Sequence, residues 1–398
     1  MTTKQKNQLA ILMLNMFIAV AGFGVIIPII PDYLKMIGEG GTAAGLMISV
    51  FAGAQLVMSP IAGKWADVYG RRLMIILGLI GFTISMGVFY LSDNLTILLV
   101  SRAIGGVGAA LLIPAIFAYV ADITTLDQRA RGNSYISAAM SLGIVVGPGI
   151  GGFFAEFGLK TPLLVSAIVS FVAVISSVLL LKEPDRAPYV APKIKESLPT
   201  QLVMSTRKPY FFVLVINLVM AFGLMAYESV LGLYVSEMFS ATPQEIAIMV
   251  TGTGIVSVIV QLFAVDRLVD WLGETKVVLA FIALTSFGFL LSLFAGTYML
   301  FFAVTLVIFL STSILRPVLN TLVSKLAGNE QGLAMGMNNA YMSIGNILGP
   351  TLAGIAFDID MRYPFIMGLV LLLVTYMGTW NWSKRKAAAI SESKRRTL

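Results

Sequence analysis

The sequence predicts an all-α membrane protein of twelve transmembrane helices, built as two pseudo-symmetric six-helix halves. Three observations carry this reading. Hydrophobic residues fill 58% of the 398 positions and charged residues only 12%, about half of the roughly 25% usual in soluble domains. Apolar runs of about 20 residues, the length that crosses a bilayer, recur twelve times along the chain. Finally, Ser141, Gly143, Gly147, Pro148 and Gly152 return as Ser343, Gly345, Gly349, Pro350 and Gly354, each 202 positions on. Glycine in such runs lets helices approach to backbone contact, and proline removes one helical hydrogen bond.

In order, the runs cover 9–31, 43–62, 73–91, 95–119, 134–156, 161–181, 210–234, 245–265, 277–295, 298–322, 333–357 and 363–382. The first is too long for a cleaved signal peptide, lacks a small-residue cleavage site, and carries Pro28 and Pro31. The polar stretch with Pro184, Pro188, Pro192 and Pro199 reads as a linker. The expected domains are therefore a bundle over 1–182, a cytoplasmic linker over 183–208, and a second bundle with a basic tail over 209–398. Asn15 is echoed by Asn217, again 202 apart, and Asp67 and Gly70 by Asp270 and Gly273 after a one-residue slip. Repeated halves opening and closing around a central site are the architecture of a rocker-switch transporter.

Charge placement agrees with this count. With a cytoplasmic N-terminus, only Lys35, Lys160 and Arg362 fall on outward loops, while Arg102 and Arg316 fall inside spans. The remaining cations, from Lys4 and Lys6 through Arg71, Arg72, Arg129 and Arg131 to the tail, face inward. That is the positive-inside pattern of a multi-pass protein with both termini in the cytosol, so the net charge of +7 marks topology and not nucleic acid. The chain has no cysteine and no histidine, which excludes disulfides and thiol metal sites. Proton chemistry near neutral pH then falls to a carboxylate. The match of Gly147–Gly152 to G-x-G-x-x-G has no preceding strand and no acid about 20 positions on, so it is accidental. A receptor would need a signalling domain and an enzyme a catalytic constellation, and neither is apparent.

The segment Gly63-Lys-Trp-Ala-Asp-Val-Tyr-Gly-Arg-Arg-Leu73 resembles the G-x-x-x-D-x-x-G-R-R loop of the major facilitator superfamily. Ser101-Arg-Ala-Ile-Gly-Gly-Val-Gly-Ala109 resembles the R-x-x-x-G motif of its proton-driven members, and Gly143–Gly152 the motif of its drug/proton antiporters. Ala226–Tyr234, Lys325–Gly332 and Phe357–Asp360 are similar to stretches of Gram-positive exporters of quinolones and cationic dyes. Those exporters carry an acid three positions before an Arg-Pro pair; here Ser313 stands there, ahead of Arg316-Pro317. A second buried carboxylate is therefore not expected in span ten.

Glu228 is the one carboxylate deep within a span. An ionised acid there costs at least about 2.5 kcal/mol, so it is expected to bind protons or cations; a static salt bridge to Arg102 or Arg316 is the structural alternative. The resemblance implies that Arg102 assists the proton step. It also implies a cytosolic latch of Gly63, Asp67, Gly70, Arg71, Arg72 and Asp122. In that latch Asp67 faces the N-terminus of span eleven and Arg71 pairs with Asp122 in the outward-facing conformer only. Gly143, Gly147, Pro148 and Gly152 serve helix packing during that change. Asn15, Phe17, Phe51, Gln55, Tyr227, Arg316, Asn338, Asn339, Tyr341 and Asn346, with Glu228, are the candidate substrate contacts. Asp32 is expected at the outer interface. The function so implied is proton-coupled efflux of lipophilic, often cationic, drugs by a monomer in the cell membrane. The partners would be protons, drugs and membrane lipids, with no nucleic acid, no metal and no cofactor, the proton gradient being the energy source. A superfamily carrier of a defined metabolite stays open beside it.

Overall fold

The computed structural model describes residues 3–184, 198–328 and 330–396. Residues 185–197, the middle of the expected linker, lie outside the described residues. The first half holds α1 (Thr3–Gly24), a 3-10 turn (Ile27–Ile29), α2 (Ile30–Ile37), α3 (Gly41–Tyr69), α4 (Arg71–Leu91), α5 (Leu95–Ile123), α6 (Leu126–Ala155) and α7 (Thr161–Leu180). The second holds α8 (Leu198–Ser205), α9 (Phe211–Phe239), α10 (Pro243–Phe263), α11 (Val265–Leu272), α12 (Glu274–Ser292), α13 (Tyr298–Ala327), α14 (Gln331–Ile359) and α15 (Tyr363–Arg396). Among the described residues there are twelve helical segments long and apolar enough to cross a membrane, and no strand.

The differences from the apolar runs have simple causes. The first span is a helix, a turn and a second short helix, because Pro28 and Pro31 have no N–H to continue the ladder. α5 and α13 continue to Ile123 and Ala327, past the expected limits at 119 and 322; helical hydrogen bonding continues through polar turns that end an apolar run. The segment between spans eight and nine is itself a helix, α11, since Val265, Leu268, Val269 and Leu272 recur at helical spacing. α6 and α14 stay helical through Pro148 and Pro350.

The helices pack as two compact units, Met1–Lys193 with Leu231–Gly254, and Ile194–Val230 with Ile255–Leu398. In the first, α6 lies against α1 at backbone distance: a Cβ on Gly147 would sit 2.6 Å from the Ala21 carbonyl oxygen, and one on Gly143 3.0 Å from that of Phe17. Gly152 gives α10 the same closeness, for a Cβ there would lie 3.1 Å from the Pro243 carbonyl oxygen. The second unit repeats the device. A Cβ on Gly345 or Gly349 of α14 would sit 2.5 Å from the carbonyl oxygen of Leu218 or Phe222 on α9. The repeated glycines thus mark the same helix pair in each half.

The repeat also governs two helix starts. Gly70 and Gly273 adopt φ of +115° and +80°, a region where a side chain is strained, and each turns the chain into the next helix. One residue on, Arg71 Nε donates to Asp122 Oδ2 at 3.0 Å and the same guanidinium pairs with Asp67. At the equivalent places Lys325 Nζ donates to Glu274 Oε1 at 2.5 Å. Positions 71 and 274, like 122 and 325, are 203 apart, so the ion pair is retained with its charges exchanged. Arg71 is 13% exposed and Lys325 65%; water screens the second pair more. A double-mutant cycle across Arg71 and Asp122 should therefore give a larger coupling in thermal unfolding than one across Glu274 and Lys325. The latter should fall within about 0.2–1 kcal/mol; equal couplings would refute the burial argument.

Candidate functional site

Arg102 sits on α5, one turn from the Gly105-Gly106 pair that admits Phe51 of α3. It is only 3% exposed. Its Nη2 donates to Ser85 Oγ at 3.3 Å, and the guanidinium carbon stands 4.8 Å from the centre of the Phe89 ring. Two reciprocal bonds fix that wall: Ser85 Oγ donates to the Ser101 carbonyl at 2.7 Å, and Ser101 Oγ to the Ser85 carbonyl at 2.8 Å. Nε of Arg102 is buried without a partner. Within its own unit, and among the described residues, no carboxylate pairs with it. Ser85 and Phe89 escaped the sequence reading, because their role follows only from how α4 packs on α5.

Glu228 lies on α9 in the second unit, half-buried. Its carboxylate forms no bridge to Arg316 there, so that static alternative is not realised within the unit. Arg316 is exposed on α13, and Ser313 Oγ turns back to the Phe309 carbonyl at 2.7 Å, an intrahelical bond.

The other candidate contacts fall into two groups. Asn15, Tyr227, Asn338, Tyr341 and Phe51 are buried. Asn15 Nδ2 donates to Ser177 Oγ on α7 at 2.8 Å. Asn217 Nδ2 donates to Asn338 Oδ1 at 2.6 Å, and Asn338 Nδ2 to Asn320 Oδ1 at 2.8 Å, an amide chain across α9, α14 and α13. The Tyr227 hydroxyl shares a 2.8 Å bond with Thr305 Oγ1 inside a nest of Phe289, Phe301, Phe309 and Phe365. Tyr341 shares a 2.9 Å bond with Ser205, and Phe51 packs on Phe23 and Phe82. By contrast Phe17, Gln55 and Asn346 are half-buried and Asn339 is exposed. Only this second group, with Glu228 and Arg316, offers open surface to a ligand.

The cluster around Arg71 is tighter than its motif announces. Gly63 and Asp67 are half-buried on α3, and Gly70 is buried at its end. Beyond the bonds of Arg71, Glu183 caps α4: its two carboxylate oxygens accept from the backbone N–H groups of Arg71 and Arg72 at 2.8 and 2.9 Å. A Cβ on Gly70 would lie 2.8 Å from that carboxylate, a second reason for glycine there. Arg72 Nη2 donates to the Val178 carbonyl at 2.6 Å. Tyr119 donates to the Lys182 carbonyl, and Lys182 N–H to Gln8 Oε1 at 3.0 Å. Glu183 is over a hundred positions from the helix it caps, and nothing local in the sequence signals it. On the opposite side Asp32 is half-buried in the first turn of α2. The next residue, Tyr33, donates to Asp93 Oδ1 at 3.1 Å; Lys160 donates to the same carboxylate at 2.5 Å, and that bond holds the exposed Asp93 carboxyl below its usual range. No group of acids suited to a metal occurs among the described residues.

Residues 12–239 and 213–397 match the Major Facilitator Superfamily. The chain is 40% identical over 403 aligned positions, 98% of each chain, to multidrug resistance protein 2 of Bacillus subtilis. It is 32% identical over 375, 92% of this chain and 96% of the other, to the quinolone resistance protein NorA of Staphylococcus aureus. In fold it is similar to the crystal structure of a bacterial homolog of the human lysosomal transporter Spinster. That similarity has a TM-score of 0.79 at 16% identity and covers 96% and 98% of the two chains. The chain belongs to the Major Facilitator Superfamily and is a multi-pass membrane transporter, not an enzyme.

Proposed function

We propose that this transporter exports lipophilic, often cationic, drugs in exchange for protons, by alternating access, with Glu228 as the group that gains and loses the proton. One observation carries the proposal: a carboxylate in the middle of α9, free of ion pair and hydrogen bond within its unit, in a chain without histidine. An unpaired acid at that depth is costly unless it works. The names of the multidrug relatives support the substrate class. Protonated, Glu228 releases a cation; deprotonated, it attracts the next. Each ligand must bind the two conformers unequally for the cycle to turn. On the first half Phe17 and Gln55, and on the second Arg316, Asn339 and Asn346, supply the adaptable polar and aromatic contacts. The buried amides position their helices. Arg102, held by Ser85 and Phe89, keeps positive charge inside the first unit and assists the proton step. Asp67, Arg71 and Asp122 form the cytosolic latch. The protein works as a monomer in the cell membrane, with both termini in the cytosol and the proton gradient as its only energy source.

Reconstituted vesicles with an imposed pH jump test this, following drug uptake and internal pH together. Glu228→Gln keeps size but fixes the neutral state. A monocation should lose a Coulomb attraction of about 1–4 kcal/mol at effective dielectrics of 80 to 20, while a neutral compound still binds. Uphill transport should vanish; proton movement in step with drug in this variant would move the carrier elsewhere.

Arg102→Lys keeps the charge without the planar fork that reaches Ser85 and lies over Phe89. Coupled transport should fall at least tenfold with the protein still folded, and full activity would leave Arg102 no role in coupling. Asp67→Asn should leave drug affinity intact and slow turnover; an unchanged rate under a saturating gradient removes the latch.

A further inference from the structure

Toward the start of α6 its glycine contact with α1 gives way to a cavity of about 530 Å³. Leu9 and Met13 of α1 form an apolar wall, and Lys6 and Arg131 stand on either side. Arg131 Nε donates to the Tyr135 hydroxyl at 3.1 Å and its guanidinium carbon lies 5.8 Å from that ring's centre. This steadies the side chain and leaves its terminal nitrogens unengaged. Among the described residues the Lys6 ammonium makes no ion pair or hydrogen bond, and none of the cavity's lining residues is acidic. Gln128, also in the lining, buries a carbonyl oxygen, Oε1, that accepts nothing.

We infer that this cavity binds the headgroup of an anionic phospholipid, with the phosphate between Lys6 and Arg131, a headgroup hydroxyl on Gln128 Oε1, and an acyl chain along Leu9 and Met13. Depth supports a lipid. Lys6 and Arg131 each stand three positions before an apolar run, those that begin at 9 and 134, so both cations sit at headgroup level. Basic pockets between helices on the cytoplasmic side are suited to anionic headgroups. Apolar wall, paired cations and orphan acceptor match a hydroxylated phosphodiester such as phosphatidylglycerol better than inorganic phosphate, which has no use for the wall. The leaflet rests on the proposed topology, but binding does not depend on transport.

The full-length protein in nanodiscs of phosphatidylcholine, with and without phosphatidylglycerol, provides the test, with retained lipid counted by native mass spectrometry. The wild type should retain phosphatidylglycerol selectively. Lys6→Gln and Arg131→Gln should each weaken retention about fivefold, the equivalent of about 1 kcal/mol per cation, and Lys35→Gln, on the opposite side, should not. Both single changes lie on exposed side chains, so folding should survive them. Unchanged retention in the two variants would overturn the site, as would competition by glycerol phosphate at the concentration at which the lipid binds. Because both leaflets have one composition and no gradient is applied, a failed transport cycle or a reversed topology would leave these outcomes unaffected.

Discussion

Helices in a bilayer cannot be driven together by hydrophobic burial, because lipid tails are as apolar as their side chains. What remains is close contact, and in this protein it is concentrated where backbone meets backbone. α6 reaches α1 through Gly143 and Gly147, and α14 reaches α9 through Gly345 and Gly349. Any side chain at these positions would move the partner helix outward, and everything mounted on it. Asn15 meets Ser177, and Asn217 meets Asn338, only because α1 and α9 are held at these distances. These amide bonds within the spans thus depend on a geometry that glycine sets.

Among the described residues, that geometry leaves Arg102 and Glu228 without the usual compensation inside their own units. Arg102 has a serine hydroxyl and an aromatic face, and Glu228 has neither a donor nor a cation. A charge held only for stability would be expected to bring a partner, because removing one member of a buried pair costs several kcal/mol. The buried amides make the contrast: Asn338 both accepts and donates with its neighbours, and Tyr227 shares its hydroxyl bond with Thr305. The Asn217–Asn338–Asn320 chain and the Tyr227–Thr305 pair are satisfied by their neighbours, whereas Arg102 Nε is buried without a partner.

Much of this was legible in the sequence, and the rest was not, for identifiable reasons. Span number and order follow from run length alone, and the glycine repeat located the equivalent helix contacts before any coordinate. The facing of residues within a span was harder. From Leu9 onward α1 is apolar all round apart from Asn15, so no stripe tells that Asn15 lies at a helix contact and Phe17 at open surface. Long-range caps were invisible: Glu183 reaches the start of α4 because α7 ends beside it, and no period or motif encodes that meeting. The segment after span eight became helix α11 because a surface helix of eight residues is too short to register as an apolar run.

The exchanged ion pairs separate what the loops before α4 and α12 require from what they tolerate. Between the halves Arg71 becomes Glu274 and Asp122 becomes Lys325, yet each pair still joins the start of one helix to the end of the next. Attraction between opposite charges is indifferent to which partner is positive, so the exchange costs nothing in kind. Asp67 and its counterpart Asp270 behave differently, for both are aspartate. In the first half Asp67 pairs with Arg71 across the break at Gly70, whereas the residue at the same offset from Asp270, across the break at Gly273, is another acid, Glu274. A partner for an acid present in both halves must then be positive in both, which the neighbouring side chain is not. A helix N-terminus meets this requirement, since its backbone end is positive whatever its sequence. The pair is therefore a brace whose sign is exchanged between the halves, whereas the aspartate three positions before the glycine keeps its sign in both.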